Sequence, residues 1–520
     1  MGVDTPLDHR VKSPSLGRVV EQVSHGSSEV SVNRVLSVSI TPLSTMLVRT
    51  MPLVMGFLLG GCISSHYAPP KEQALENPTD LGLLGASAPA AGPEWWAAYQ
   101  DPQLDRLLRG ALADNPTLAQ SLARVRAAQA EAAAIHADSR PLITYDAAET
   151  RERFSAHAPI PSPYGGSPRW YGDQGLNFSW DLDFWGRQAA LVRQANNRSD
   201  AAALDSAGAR LAIAGAVVRS YLELDRTYAL ADVAERTEQQ RLQILAITQQ
   251  RVKAGLDTTV ELRQAEGAAA DVRVDLRQIQ GERDRAVHLL AALSGQGAAA
   301  HDKIERPRLR ADTALVLPDS LPFDLLARRP DVLAAHSRIV GARAGLAAAK
   351  AAFYPDINLL AFAGTQAIGF DQLFRGSART YGAGPALHLP IFDAGRLRAL
   401  YRGSAAEVDL AVSTYNQTVL EAVQQTADQI SDIVALNSGL QEQQLSLDAA
   451  EAAFSLATER YQAGLTTYLS VLTTETEVLS ARRQRVDLLS VRDIARVTLL
   501  IDVGGDFHLD SAIAVATTSH

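Results

Sequence analysis

The chain has 520 residues, a net charge of −9 at pH 7 and 6% aromatic residues. An acidic balance gives no electrostatic reason to expect nucleic acid or an anionic membrane surface as a partner. A text dominated by Ala, Gln, Arg, Glu and Leu suits long, closely packed helices better than a thick globular core, and a single cysteine, Cys62, excludes an internal disulfide framework and a thiolate metal site.

Residues 1–45 are polar, and the first signal is Arg49 followed by an apolar stretch from Pro52 to Leu59. That stretch is too short to span a membrane and reads as the apolar region of a secretory signal. The leader covers residues 1–61, with Met46 as an alternative start. Leu59-Gly60-Gly61-Cys62 resembles a bacterial lipobox, which implies that Cys62 is lipidated and becomes the mature N-terminus. An ordinary signal peptide with an incidental cysteine is the alternative. Residues 62–94 are interrupted by Pro69, Pro70, Pro78, Pro89 and Pro93 and form a tether.

Folded text starts at Trp95 and is helical over 95–141. Asn115-Pro116 marks a helix start, with Asn capping free N–H groups and Pro at the first helical position, and the helix should run to about Ser139 before Pro141. Residues 142–185 hold a first strand pair. In LNFSWDLDFWG, Leu176, Phe178, Trp180, Leu182 and Phe184 alternate with Asn177, Ser179, Asp181 and Asp183. A barrel strand with lipid outside and water inside has this pattern, which puts Asp181 and Asp183 in the lumen. Ile143, Tyr145 and Ala147 give a weaker partner strand. Trp170, Trp180 and Trp185 lie near strand ends, as part of an interfacial girdle or as packing residues.

Residues 186–296 contain no proline. About 65 residues of helical text, roughly 100 Å of rod, reach Ala254-Gly255-Leu256, where Gly lets the helix end and turn back. After a connecting segment over 297–329 the text repeats. Pro116 and Pro141 recur as Pro330 and Pro355 at an offset of 214, and Gly186-Arg187 recurs as Gly395-Arg396 at 209. The second copy has a helix over 330–355, in which Gly341 and Gly345 permit close helix packing, then a strand pair over 356–392. Alternation is poor from Asp356 onward, while Leu387, Leu389 and Ile391 share a face and Pro385 and Pro390 weaken the strand. A second hairpin over 393–503 turns at Ala463-Gly464-Leu465, and a tail occupies 504–520. Each unit reads helix, strand, strand, long helix, tight turn, returning helix. Offsets this large mark a duplicated domain rather than a solenoid.

That order resembles the TolC family of bacterial outer-membrane channels, in its NodT/OprM-like lipoprotein branch. The resemblance is carried by Trp95 with Asp101-Pro102, Asn115-Pro116, Trp180-Asp181-Leu182-Asp183 with Gly186-Arg187, Pro390-Ile391-Phe392-Asp393 with Gly395-Arg396, and Arg460-Tyr461 with Gly464-Leu465. It implies a mainly α protein with a membrane β-barrel: a homotrimer whose twelve strands close one barrel above an α-helical periplasmic tunnel, with Trp95-Trp96 buried in an equatorial belt. It implies a passive duct for small molecules, anchored in outer-membrane lipid. The turns at Gly255, Leu256, Gly464 and Leu465 would meet a periplasmic adaptor (membrane fusion protein) joined to an inner-membrane pump of the RND type. Relatives often carry an acidic gate residue nine positions beyond the second turn glycine. Here that position is Thr473, with Glu475 and Glu477 following, so Thr473 and Glu475 are the candidate gate.

Two other classes compete. A non-transporting envelope lipoprotein with coiled-coil rods explains the helices but has no use for the alternating strand. An enzyme would need a motif such as HExxH, CxxC, GxSxG or a phosphate loop, and the sequence contains none of these; it calls for no cofactor and no metal.

Overall fold

The computed structural model describes residues 74–75, 81, 83, 94–157, 164–309, 322 and 324–505. The chain divides into units Met1–Ala68 and Pro69–His520, and every described residue belongs to the second. The leader, Cys62, most of the tether and the tail beyond Gly505 lie outside the described residues.

A 3-10 turn at Trp95–Tyr99 opens the folded chain and buries Trp95, Trp96 and Tyr99. Helices α1 (Pro102–Asp114) and α2 (Pro116–Asp138) follow, each with proline in its first turn. Asp101 and Asn115 cap them through bonds of 2.8 Å from the N–H groups of Gln103 and Thr117. Strands β1 (Leu142–Arg153) and β2 (Pro168–Asp181) lead into α3 (Arg187–Lys253) and α4 (Thr259–Leu293). The second copy comprises the single turn α5 (Leu325–Arg328), then α6 (Pro330–Ala351), β3 (Asp356–Ile368), the single turn α7 (Phe370–Leu373), β4 (Arg379–His388), α8 (Arg396–Gln462) and α9 (Tyr468–Asp502).

The duplication is metrical. Helices α3 and α8 have 67 residues each, α4 and α9 have 35 each, and all four starts and ends are offset by 209. Helix α2 and strand β1 start 214 before α6 and β3, so the five-residue difference falls within the strand hairpins. Proline-free text lets each long helix run about 100 Å at roughly 1.5 Å per residue.

The four strands form one antiparallel sheet in the order β1-β2-β3-β4. Phe178 pairs with Ile143 on one side and Ala361 on the other. Two strand ends differ from the sequence expectation. Strand β2 stops at Asp181 rather than Phe184, because the next carboxylate turns the chain into α3. Strand β4 stops at His388, leaving Leu389 and Ile391 off the sheet, since Pro390 has no N–H for a ladder bond. Strand β3 forms over 13 residues despite its blurred alternation. Leu360 and Phe362 share the face of Ser179 and Asn177, and the Phe362 ring covers Gly382, 2.8 Å from where a Cβ would stand.

Helices pack in two tiers. In one, α2 lies on α3, α3 on α6 and α6 on α8; in the other, α4 lies on α3, α3 on α9 and α9 on α8. Gly341 and Gly345 bring α6 close to Asn197 and Gln194 of α3. The main core sits where the tiers meet: Trp95, Trp96, Leu104 and Leu108 pack on Val217, Val218, Tyr221 and Leu224 of α3, with Leu290 of α4 and Val497 and Leu500 of α9. An 18-residue window of α3 is apolar enough to cross a membrane, yet half of it is buried inside the protein.

Candidate functional site

The register sorts the sheet into two faces. On one, Ile143, Tyr145 and Ala147 of β1 line up with Leu176, Phe178 and Trp180 of β2, Leu359, Ala361 and Ala363 of β3, and Ala383, Pro385 and Leu387 of β4. On the other stand Thr144, Asp146, Asn177, Ser179, Asp181 and Asn358. Asn177 and Thr144 both donate to Asp146 Oδ2, at 2.8 and 3.0 Å. On β2 the apolar run covers Leu176, Phe178 and Trp180; Gln174, level with Thr365 and Arg379, is the next residue on that face, and Trp170 stands ten residues from Trp180. At about 3.4 Å per residue and a tilt of about 40°, the two tryptophans are roughly 26 Å apart, the spacing of the two aromatic girdles of a membrane barrel.

Asp181 lies on the polar face at the sheet's helix end, opposite Asn358, and accepts from Gln188 Nε2 at 3.3 Å. Asp183, expected beside it in a lumen, does not share that face. It lies past the last strand residue and caps α3, accepting from the N–H groups of Gln188 at 3.1 Å and Ala189 at 2.8 Å. Those free amides at the positive end of a helix draw a carboxylate more strongly than open water does. Asp393 does the same for α8, accepting from Gly395 at 2.9 Å and Leu397 at 2.7 Å, and these bonds hold its carboxyl below the usual carboxylate range. Gly186 (φ 73°) and Gly395 (φ 90°) make the left-handed turn into each helix.

At the far end of the hairpins, Gly255 (φ 73°) and Gly464 (φ 75°) end α3 and α8. Leu256 and Leu465 donate back to the carbonyls of Arg251 and Arg460 at 2.8 Å, closing a Schellman turn in both copies. Leu256 and Leu465 are 65% and 69% exposed, with Val260 and Leu469 exposed one helical turn later. The two tips differ beyond the glycine. Thr258 and Glu261 form a capping box at the first, while Thr467 makes no side-chain cap at the second.

A joint behind these tips ties the two copies together. Arg251 holds Asp257 through Nε at 2.9 Å and Nη2 at 3.1 Å, donates Nη1 to the Tyr461 carbonyl at 2.9 Å, and stacks over the Tyr461 ring at 4.7 Å. Tyr461 donates its hydroxyl to Asp257 at 2.5 Å. Arg251 is the main cause that keeps the Asp257 carboxyl below its ordinary range, and burial, with Asp257 nearby, pushes the Tyr461 hydroxyl up to about 12. The joint draws on residues 204 apart, which spacing in the sequence does not connect.

The candidate gate divides. Thr473 is exposed on α9 and bonds only to its own helix, donating to the Leu469 carbonyl at 2.9 Å. Glu475 turns inward instead. It is 3% exposed and is held by Arg241 Nε of α3 at 3.2 Å within the same chain, so it lines no open duct. Glu477, one turn beyond Thr473 on the same exposed stripe, is the acid that shares its surroundings. Among the described residues no cluster of His, Cys, Asp and Glu has the arrangement of a metal site.

The family described as outer membrane efflux protein matches residues 107–296 and 321–505, one match for each copy of the unit. The chain is 36% identical over 355 residues to the fusaric acid resistance protein FusA of Burkholderia cepacia, covering 67% of each. It is 32% identical over 434 residues to the multidrug resistance outer membrane protein MdtQ of Escherichia coli O157:H7, covering 80% of this chain and 89% of that one. Among solved structures, the outer membrane protein VceC of Vibrio cholerae superposes with a TM-score of 0.76 at 34% identity, over 80% of this chain and all of that one.

Proposed function

The chain belongs to the outer membrane efflux protein family, and we propose that three copies of it form a passive duct completing a tripartite export machine. An outer-membrane efflux channel is the role its relatives share. The observation that carries the finer reading is the matched openness of the two sides of one protomer. The sheet is unpaired at β1 on one side and at β4 on the other. The helix tiers end at α2 and α4 on the β1 side and at α8 on the β4 side, with no extensive contact joining these ends. Unpaired strand edges cost several kcal/mol per backbone group in lipid. Unlike edges that repeat at every level favour a head-to-tail ring, which closes into a barrel and tunnel together. Twelve strands in three copies is the closure that the TolC-like resemblance implies.

In this reading, Asp146, Asn177 and Asp181 face the water-filled lumen, and Thr473 and Glu477 face the tunnel near its inner end. The exposed Leu256, Val260, Leu465 and Leu469 dock a periplasmic adaptor, which brings an inner-membrane pump of the RND type. Small molecules delivered by that pump leave through the duct. Cys62 carries the lipid anchor. Replacing Gly464 with Trp should leave secretion and assembly intact but abolish export of toxic small molecules in a strain lacking its homologues; full resistance from that variant would remove the docking role of the tips. Cys62→Ser should lose incorporation of labelled fatty acid, and unchanged labelling would refute the anchor.

A further inference from the structure

The sheet's apolar face changes character at its distal end. Arg151 stands across β1–β2 from Trp170 and holds its guanidinium over the indole, 6.0 Å from the ring centre. Arg153 lies two residues further out on the same face, exposed, and donates Nε to the Gly166 carbonyl at 3.1 Å. The connection between β3 and β4 folds back onto this face. Leu373 of α7 is buried over Gly172, whose missing Cβ would stand 3.1 Å from it, and the Gly369 N–H donates to the Trp170 carbonyl at 2.8 Å. That seating leaves Phe370 and Phe374, an edge-to-face pair 5.6 Å apart, 57% and 68% exposed. Arg375 follows them, and Arg379 opens β4 on the same face. These four arginines face two carboxylates, Glu149 on the same face of β1 and Asp371, 3.9 Å from Arg375.

The depth fits a headgroup layer. Trp170 stands roughly 26 Å from Trp180, and between them the face turns from apolar to polar at Gln174, Thr365 and Arg379, so Arg151, across from Trp170, lies past that change and Arg153 about 7 Å further along the strand. Exposed phenylalanines beside guanidinium groups suit a boundary where acyl chains meet anions: rings remain in the apolar layer while arginine grips phosphate through paired N–H groups. A rim surrounded only by water gives those rings no cover. We propose that this distal rim, formed by Arg151, Arg153, Trp170, Phe370, Phe374 and Arg375, docks the phosphorylated headgroup of an outer-leaflet glycolipid. The inference rests on the outer-membrane barrel reading of the sheet.

The test places the purified protein in lipid nanodiscs and counts retained lipid by native mass spectrometry, using bisphosphorylated lipid A and the same lipid with its phosphates removed. Preferential retention of the phosphorylated form is expected. Arg151→Gln with Arg153→Gln should weaken that retention about tenfold, the corresponding double lysine variant should weaken it less, and Arg263→Gln near the hairpin turn should leave it unchanged. Equal retention of both lipids by the unaltered protein overturns the proposal without any variant. Displacement by millimolar inorganic phosphate also overturns it, since the site would then serve a free anion. Failure of the protein to enter the bilayer would instead sink the barrel reading on which the proposal stands.

Discussion

Glu475 lies where the returning helix α9 presses on α3, and only Arg241 answers its charge; its Oε1 has no partner among the described residues. Burial outweighs the attraction of Arg241 and leaves the carboxyl above its usual range. A raised carboxyl favours the protonated fold, so this group contributes most below its unfolded pKa, and the contribution falls as pH rises through the folded value. Arg241→Met should therefore cost about 3–5 kcal/mol at neutral pH by leaving a lone buried charge. Adding Glu475→Leu should restore most of that stability. The single variant's loss should shrink as pH falls and Glu475 takes a proton, since its carboxyl is already raised by burial. Denaturant unfolding at pH 5 and 7 decides it: a small, pH-independent loss would mean that water reaches the pair. Sequence could not have placed Glu475, since a glutamate in a helix with no strong apolar stripe gives no sign of which way it faces. Asp183 was legible in a different way. An acid just before Gly-Arg at a helix start is a capping signal in both copies, but the preceding alternation ran straight into it and made it look like one more strand residue. Asp183→Ala should cost about 1 kcal/mol without altering the lumen.

At the scale of elements, the long helices were the most legible part, because proline-free text and a Gly-Leu turn repeated at one offset fix where a helix must run and where it must stop. All four strands fall within the two expected pairs, but only β2 shows a clean alternation in the sequence. From Leu176 to Trp180 its large side chains fall on one face, whereas β3 sets Leu360 and Phe362 on the face opposite Leu359 and so hides its period. This pattern predicts unequal tolerance on the two faces. Phe178→Arg puts a charge at the centre of the apolar face and should cost on the order of 2–4 kcal/mol, with loss of assembled protein from membranes. Ser179→Arg, one residue along and on the polar face, should assemble at nearly normal levels. Heat-resistant oligomer on gels measures both, and normal assembly of the first with failure of the second would mean that the sheet faces are reversed.

At the scale of the whole molecule, a single protomer is unfinished everywhere along its length. Its sheet has two bare edges, its helix tiers have two bare ends, and large apolar residues such as Leu410, Leu420 and Leu445 of α8 are exposed. The sequence pointed to partner copies only through the TolC-like resemblance, and it carried no sign of which helix would meet which. That information lies in the packing order, where α8 ends both tiers on one side while α2 and α4 end them on the other. One structural level without a partner is unremarkable in a membrane protein; a sheet and both helix tiers lacking one together support the ring proposed above. The most direct test is the native mass of the solubilised, lipid-free protein. A complex of three chains that survives in mild detergent is expected, and a stable single chain that still inserts into bilayers would contradict the account.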